Sequence, residues 1–160
     1  MGKVESTTVA LQQRWFEDYI VGEVFEFGEH TVTENEIIEF ALHYDPQFFH
    51  VDAEAAKNSP YGGLIASGWM NAAIAMRLMC AHFLPHESAL GSPGIDHLKW
   101  LHPVRPGDTL RMRVSVMSIR RSQSKPDRGV ITLLQELINQ KEQVVMRLEG
   151  KSMHRLRTPA

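Results

Sequence analysis

The spacing of hydrophobic and polar positions changes character several times along the chain, and each change marks an element. Phe16 to Val32 mixes β-branched, aromatic and acidic residues around Gly22 and Gly28, which predicts a first strand. At Thr33 the period switches. Thr33 and Glu36 have the spacing of a capping box, and Ile37, Ile38, Phe40, Ala41 and Tyr44 recur at helical intervals until Asp45-Pro46 stops them. Asp52 ahead of Ala53-Glu54-Ala55-Ala56 predicts another short helix with Asp52 as its N-cap. From Ile65 to Phe83 the pattern is apolar on nearly every side, so this helix is expected in the middle of the fold, covered by a sheet. Gly94 to Leu101, Thr109 to Ile119, Gly129 to Ile138 and Gln143 to His154 supply that sheet, with breakers such as Arg105-Pro106-Gly107-Asp108 between them. The order of elements predicts an α+β fold, a curled antiparallel sheet wrapped round one long central helix. Residues 1–160 read as one domain, with about 1–20 as an N-terminal extension. A curled sheet leaves an open edge, and a homodimer is the expected way to cover it.

Composition narrows the class. A chain of 160 residues that is 43% hydrophobic can close a core without disulfides or metal staples. Seventeen basic against nineteen acidic side chains leave a formal charge of −2, so no broad basic face for nucleic acid is expected. Cys80 is the single cysteine, which removes any intramolecular disulfide or Cys-based zinc site, and it is expected to be a packing residue on the long helix. The apolar run from Leu64 to Leu84 is broken by Asn71, Arg77 and His82, which suits a helix inside protein rather than lipid, so no membrane partner is expected. The first residues carry Glu5 and other polar groups in place of a signal-like apolar run, and a cytoplasmic location is expected.

The densest cluster of ionisable groups is His43 to Asp52, HYDPQFFHVD, expected on a loop between two helices. Asp45 stands among Tyr44, Pro46, Phe48 and Phe49, so partial desolvation is expected to push its pKa upward, as suits a general base; it can equally cap a turn ahead of Pro46. His50 can share a proton with Asp45 or pack as a hydrogen-bonded core imidazole. His43, Asp45, His50 and Asp52 are all ligand types for a metal, but their spacing defines no coordination geometry, and none is expected. Gly62-Gly63 and Ser67-Gly68 lie at the start of the long helix, where unpaired N–H groups can face a thioester oxygen, or where glycine simply allows close packing.

These residues resemble the MaoC-like or R-specific enoyl-CoA hydratases of the hotdog fold. Tyr44-Asp45-Pro46-Gln47-Phe48-Phe49-His50 keeps the family's Asp-to-His spacing, Ile65-Ala66-Ser67-Gly68-Trp69-Met70 looks like the family's helix start, and Pro103-Val104-Arg105-Pro106-Gly107-Asp108 is close to its Pro-Val-x-x-Gly-Asp turn. The resemblance covers Val24 to His154. It implies a hydratase or dehydratase of 2-enoyl and 3-hydroxyacyl thioesters in which Asp45 and His50 hold one water. Gly68 and Ser67 would meet the thioester, and Gln47, Phe48, Phe49, Met70, Ile74 and Met76 would line the acyl pocket. It implies no cofactor beyond the coenzyme A carried by the substrate, and an acyl-CoA as the partner. The sequence departs from the family where Gln47 and Phe48 stand at the motif's Asn and Pro, and where Met76 stands at a serine of some hydratases. Two other readings stay open. One is a thioesterase, against which stands the lack of any Asp or Glu from Leu64 to Leu84; the other is a non-catalytic acyl-CoA-binding module.

Overall fold

A computed structural model describes residues 9–158. Five strands form one antiparallel sheet: β1 (Val24–Thr31), β2 (Ile95–Trp100), β3 (Thr109–Arg121), β4 (Arg128–Ile138) and β5 (Val144–Arg155), in the order β1-β3-β4-β5-β2. Between β1 and β2 run α1 (Glu34–Tyr44), two single-turn helices α2 (Phe48–Val51) and α3 (Ala53–Ala56), and the long helix α4 (Gly68–His82).

Alternation decides which face of the sheet is buried. On β3, Leu110, Met112, Val114 and Val116 turn inward while Arg111, Arg113 and Ser115 turn away, the period-2 pattern of a strand with one face on the core. Leu133 and Leu137 of β4 and Met146 of β5 continue that face. Against it α4 packs Met70, Ile74, Ala75, Leu78 and Met79, and all of these belong to one buried cluster. Gly28 allows α4 to lie close to β1, because a Cβ there would come within 2.9 Å of Leu78 Cδ2, and its φ of +75° sits where the β1–β3 register shifts.

The sheet and the helices are found where the pattern puts them, with three corrections. The first strand begins at Val24, not Phe16, because Phe16–Asp18 is a 3-10 turn closed by Asp18 accepting the Trp15 N–H. The cluster from His43 to Asp52 is no plain loop, since Phe48–Val51 makes a helical turn that carries His50. Nor is α4 covered on every side. Trp69 (60% exposed), Met76 (53%) and Cys80 form an outward face, because a sheet curled round a helix covers only part of its circumference. Cys80 is therefore a surface thiol in the single chain, not a packed one. Of the segment read as an N-terminal extension, residues 1–8 lie outside the described residues.

Candidate active site

Three local signals bring the site together. The Thr33–Glu36 capping box starts α1, with the Thr33 hydroxyl accepting the Glu36 N–H and Glu36 accepting the Thr33 N–H. The helix then ends at Asp45, whose own N–H still reaches Ala41 O at 2.9 Å while Pro46 prevents another turn. Asp52 caps α3 as its sequence position predicts, accepting from Glu54 N and Ala55 N. Between these stops, α2 turns His50 inward until it is 5% exposed, and its Nδ1 lies 2.7 Å from Ile65 O. A carbonyl only accepts, so Nδ1 carries the hydrogen and Nε2 is left to exchange protons. That Nε2 stands 3.3 Å from Asp45 Oδ2.

Ser67 completes the constellation. It is the N-cap of α4, accepting the Trp69 N–H at 3.2 Å, and its hydroxyl donates to Asp45 Oδ2 at 2.6 Å. Gln47 donates from Nε2 to Asp45 Oδ1 at 2.8 Å, so the amide that replaces the family's asparagine does hold the carboxylate. Burial raises the Asp45 pKa, but the Ser67 and Gln47 hydrogen bonds and the charge of His50 outweigh it, and the net shift is downward. The upward shift expected from the aromatic neighbours is thus reversed. The cause is a pair of donors aimed at the anion, one of them 22 residues away in sequence.

Asp45, Gln47, Phe49, His50 and Gly68 all line one cavity of about 490 Å³. Gly68 opens α4 and lies hard against an indole: a Cβ at this position would sit 2.5 Å from Trp100 Cε2. The first turn of a helix leaves backbone N–H groups without intrahelical partners, and the Gly68 N–H is one of these. Ser67, grouped with Gly68 as a thioester contact, spends its hydroxyl on Asp45 and on the helix cap, so it acts on the carboxylate.

The pocket residues divide. Met70 and Ile74 line a neighbouring hollow of about 450 Å³ with Phe40, Tyr44 and Arg77, on the α1 side of α4. Met76 faces away, into an apolar hollow with Ile95 and Leu148 on the β2 side. Phe48 is 49% exposed and reaches the cavity only through its edge contact with Phe49. Sequence reasoning missed Asn71, Tyr61, Trp69 and Trp100 as lining residues. A polar residue at a core-facing position of an apolar helix was the available signal for Asn71. For Trp100 no local signal exists, because it approaches Gly68 through the fold alone. Among the described residues no three His, Cys, Asp or Glu side chains gather as a metal site, and no helix is long and apolar enough to cross a membrane.

The MaoC like domain family matches residues 17–136, and the chain belongs to that family. Its fold is the hotdog fold. A solved MaoC-like dehydratase from Rhodospirillum rubrum is similar at 41% identity and a TM-score of 0.85, covering 91% of this chain and 99% of its own. YdeM of Bacillus subtilis is 30% identical over 126 residues, 79% of this chain and 88% of that protein. An R-hydratase from Pseudomonas aeruginosa shares the fold at a TM-score of 0.70 and 18% identity, over 91% of this chain and 92% of its own.

Proposed function

We propose that the protein adds water across, or removes it from, the C2–C3 bond of an acyl-CoA thioester, as an R-specific enoyl-CoA hydratase does. The observation that carries this reading is the Asp45–His50 pair, 3.3 Å apart in a cavity that also holds the N-terminal turn of α4. In hydration, one water sits against both groups. Asp45 enters as the carboxylate and His50 with a hydrogen on both ring nitrogens. Asp45 accepts the water proton as the oxygen joins C3, and His50 gives its Nε2 proton to C2, so one proton leaves the water and one reaches carbon. Asp45, whose pKa is held down, then returns its proton to His50 across their contact, and the pair is reset. The Gly68 N–H stabilises the thioester oxygen as enolate charge develops, a contribution of about 3 kcal/mol for donors of this kind. Dehydration follows the same path backwards.

A homodimer joined at β2 fits this reading. β2 ends the sheet, and Ile95, Trp100, Trp69 and Met76 are exposed beside it. Light scattering should give twice the chain mass at micromolar concentration, and a stable monomer would refute the joint. The function itself is tested with a panel of enoyl-CoA esters, followed by loss of the conjugated thioester absorbance. Hydration abolished by Asp45→Asn in a folded variant supports the proposal. Release of free coenzyme A thiol would replace it with a thioesterase, and binding without turnover would replace it with a binding module.

A further inference from the structure

Asn71 is a polar side chain on the sheet-facing stripe of α4, between Met70 and the buried Ile74 and Ala75, and it is only 2% exposed. Its N–H is used in the helix, on Ser67 O at 3.1 Å, but its side-chain Oδ1 is buried and has no hydrogen-bond partner among the described residues. Buried carboxamides are nearly always hydrogen-bonded, so one left unmet needs a reason. The other unpartnered buried atoms, on Tyr19, Glu23 and His154, belong to residues that do not line the cavity beside Asp45; Asn71 does line it, together with Asp45, His50 and Gly68.

Position along the helix says which part of an occupant meets Asn71. Gly68 offers its N–H to the thioester oxygen, and Asp45 and His50 bracket the reacting carbons. Asn71 stands three residues further along α4, about 4.5 Å down the axis. We infer that Asn71 is a specificity-determining residue that hydrogen-bonds a hydroxyl carried by the acyl group beyond its reacting carbons, so that the preferred substrate is a hydroxylated acyl thioester and not a plain alkyl one. This rests on the acyl-CoA reading above. The terminal torsion of an asparagine is soft enough to turn either end of the carboxamide to the cavity, and a hydroxyl, which both donates and accepts, satisfies whichever end it meets. An alkyl chain in the same place would leave the carboxamide unmet, and sites built to hydrogen-bond a substrate hydroxyl discriminate strongly against the analogue that lacks it.

Binding of saturated thioesters tests this without requiring turnover. Titration calorimetry with butanoyl-CoA and with ω-hydroxybutanoyl-CoA should show the parent protein binding the hydroxylated ester at least roughly tenfold more tightly. In the nearly isosteric Asn71→Leu that ratio should fall to about one or invert, with the melting temperature unchanged or raised, since an unmet buried polar group has been removed. Asn71→Ala should erase the preference too and serves if Asn71→Leu does not fold. Equal affinities in the parent protein, or a ratio untouched by either substitution, overturn the inference while leaving the acyl-CoA reading intact. Failure of both esters to bind overturns both together.

Discussion

Ser67→Ala separates the structural and the chemical duties of one hydroxyl. Ser67 is fully buried, caps α4 through the Trp69 N–H, and donates to Asp45 at 2.6 Å. Loss of an N-cap costs about 1 kcal/mol, and loss of a hydrogen bond to a charged partner costs about 2 kcal/mol, so the variant should be destabilised by roughly 3 kcal/mol at neutral pH. For a chain of this size that lowers the melting temperature by roughly 6–12 °C. The catalytic consequence is a pH effect. Asp45 owes part of its lowered pKa to Ser67, so without that donor its carboxyl must titrate at higher pH. The acid limb of kcat/KM should therefore move upward in Ser67→Ala. The stability difference follows the same group. A depressed carboxyl stabilises the fold above its unfolded pKa and loses that contribution as pH falls through the folded pKa, so parent and variant should converge in acid, leaving only the cap. An acid limb that stays in place in a folded, active variant would refute the assignment of Asp45 as the titrating group.

Other perturbations read other parts of the site. Asp45→Asn and His50→Ala should each lower turnover by about 10²–10⁴-fold with the fold retained, and the double variant should lose little more than either, because groups that act as a unit are not additive. Gly68→Ala should force the Trp100 indole away from α4, at a cost of roughly 1–3 kcal/mol, and reduce kcat/KM; unchanged kinetics would mean that the close approach is irrelevant to the thioester. Burial of His154 lowers its pKa from 6.5 to about 4, so between these values the unfolded chain binds a proton that the native chain does not. Stability should then fall as pH drops through that window, by about 3 kcal/mol at its acid end, and chemical denaturation of His154→Gln should show a flatter profile.

How much of this was legible in the sequence depends on the range of the interaction. Thr33 and Glu36, the Asp45-Pro46 stop and the Asp52 cap act over three or four residues, so the spacing of residues carries them directly. The three successive strands β3, β4 and β5 were legible from their apolar patterning and the breakers between them, but the placement of β2 beyond β5 and of β1 beside β3 was not. The Asp45–Ser67, His50–Ile65 and Gly68–Trp100 contacts join segments that only tertiary packing brings together, and Ser67 reversed the direction of a pKa shift reasoned from neighbours in sequence. Met76 and Cys80 illustrate a different limit. An apolar stripe says that a surface leaves water, but not whether the chain's own sheet or a second copy covers it.

The two ends of α4 divide stability from chemistry. At the C-terminal end Phe83 is fully buried, with ring centroids 6.0 Å from Tyr19, 5.7 Å from Phe25 and 5.8 Å from Phe27, an aromatic cluster packed beside the buried Arg14–Glu23 ion pair. At the N-terminal end the buried groups are His50, Ser67 and Asn71, with Asp45 close above them, and each must be hydrogen-bonded, charged or left unmet. Removing such groups from water is costly, and among the described residues the site end has no fully buried aromatic ring such as Phe83 to offset that cost. It also depends on contacts from α1, α2 and β2, which reach it as short or edge elements. Opening of the site should then occur well below the free energy of global unfolding, with amide exchange faster in α2 than in β3 and β4. A water-exchanging cavity can thus be kept without loosening the core on which Asp45 and His50 depend for their spacing.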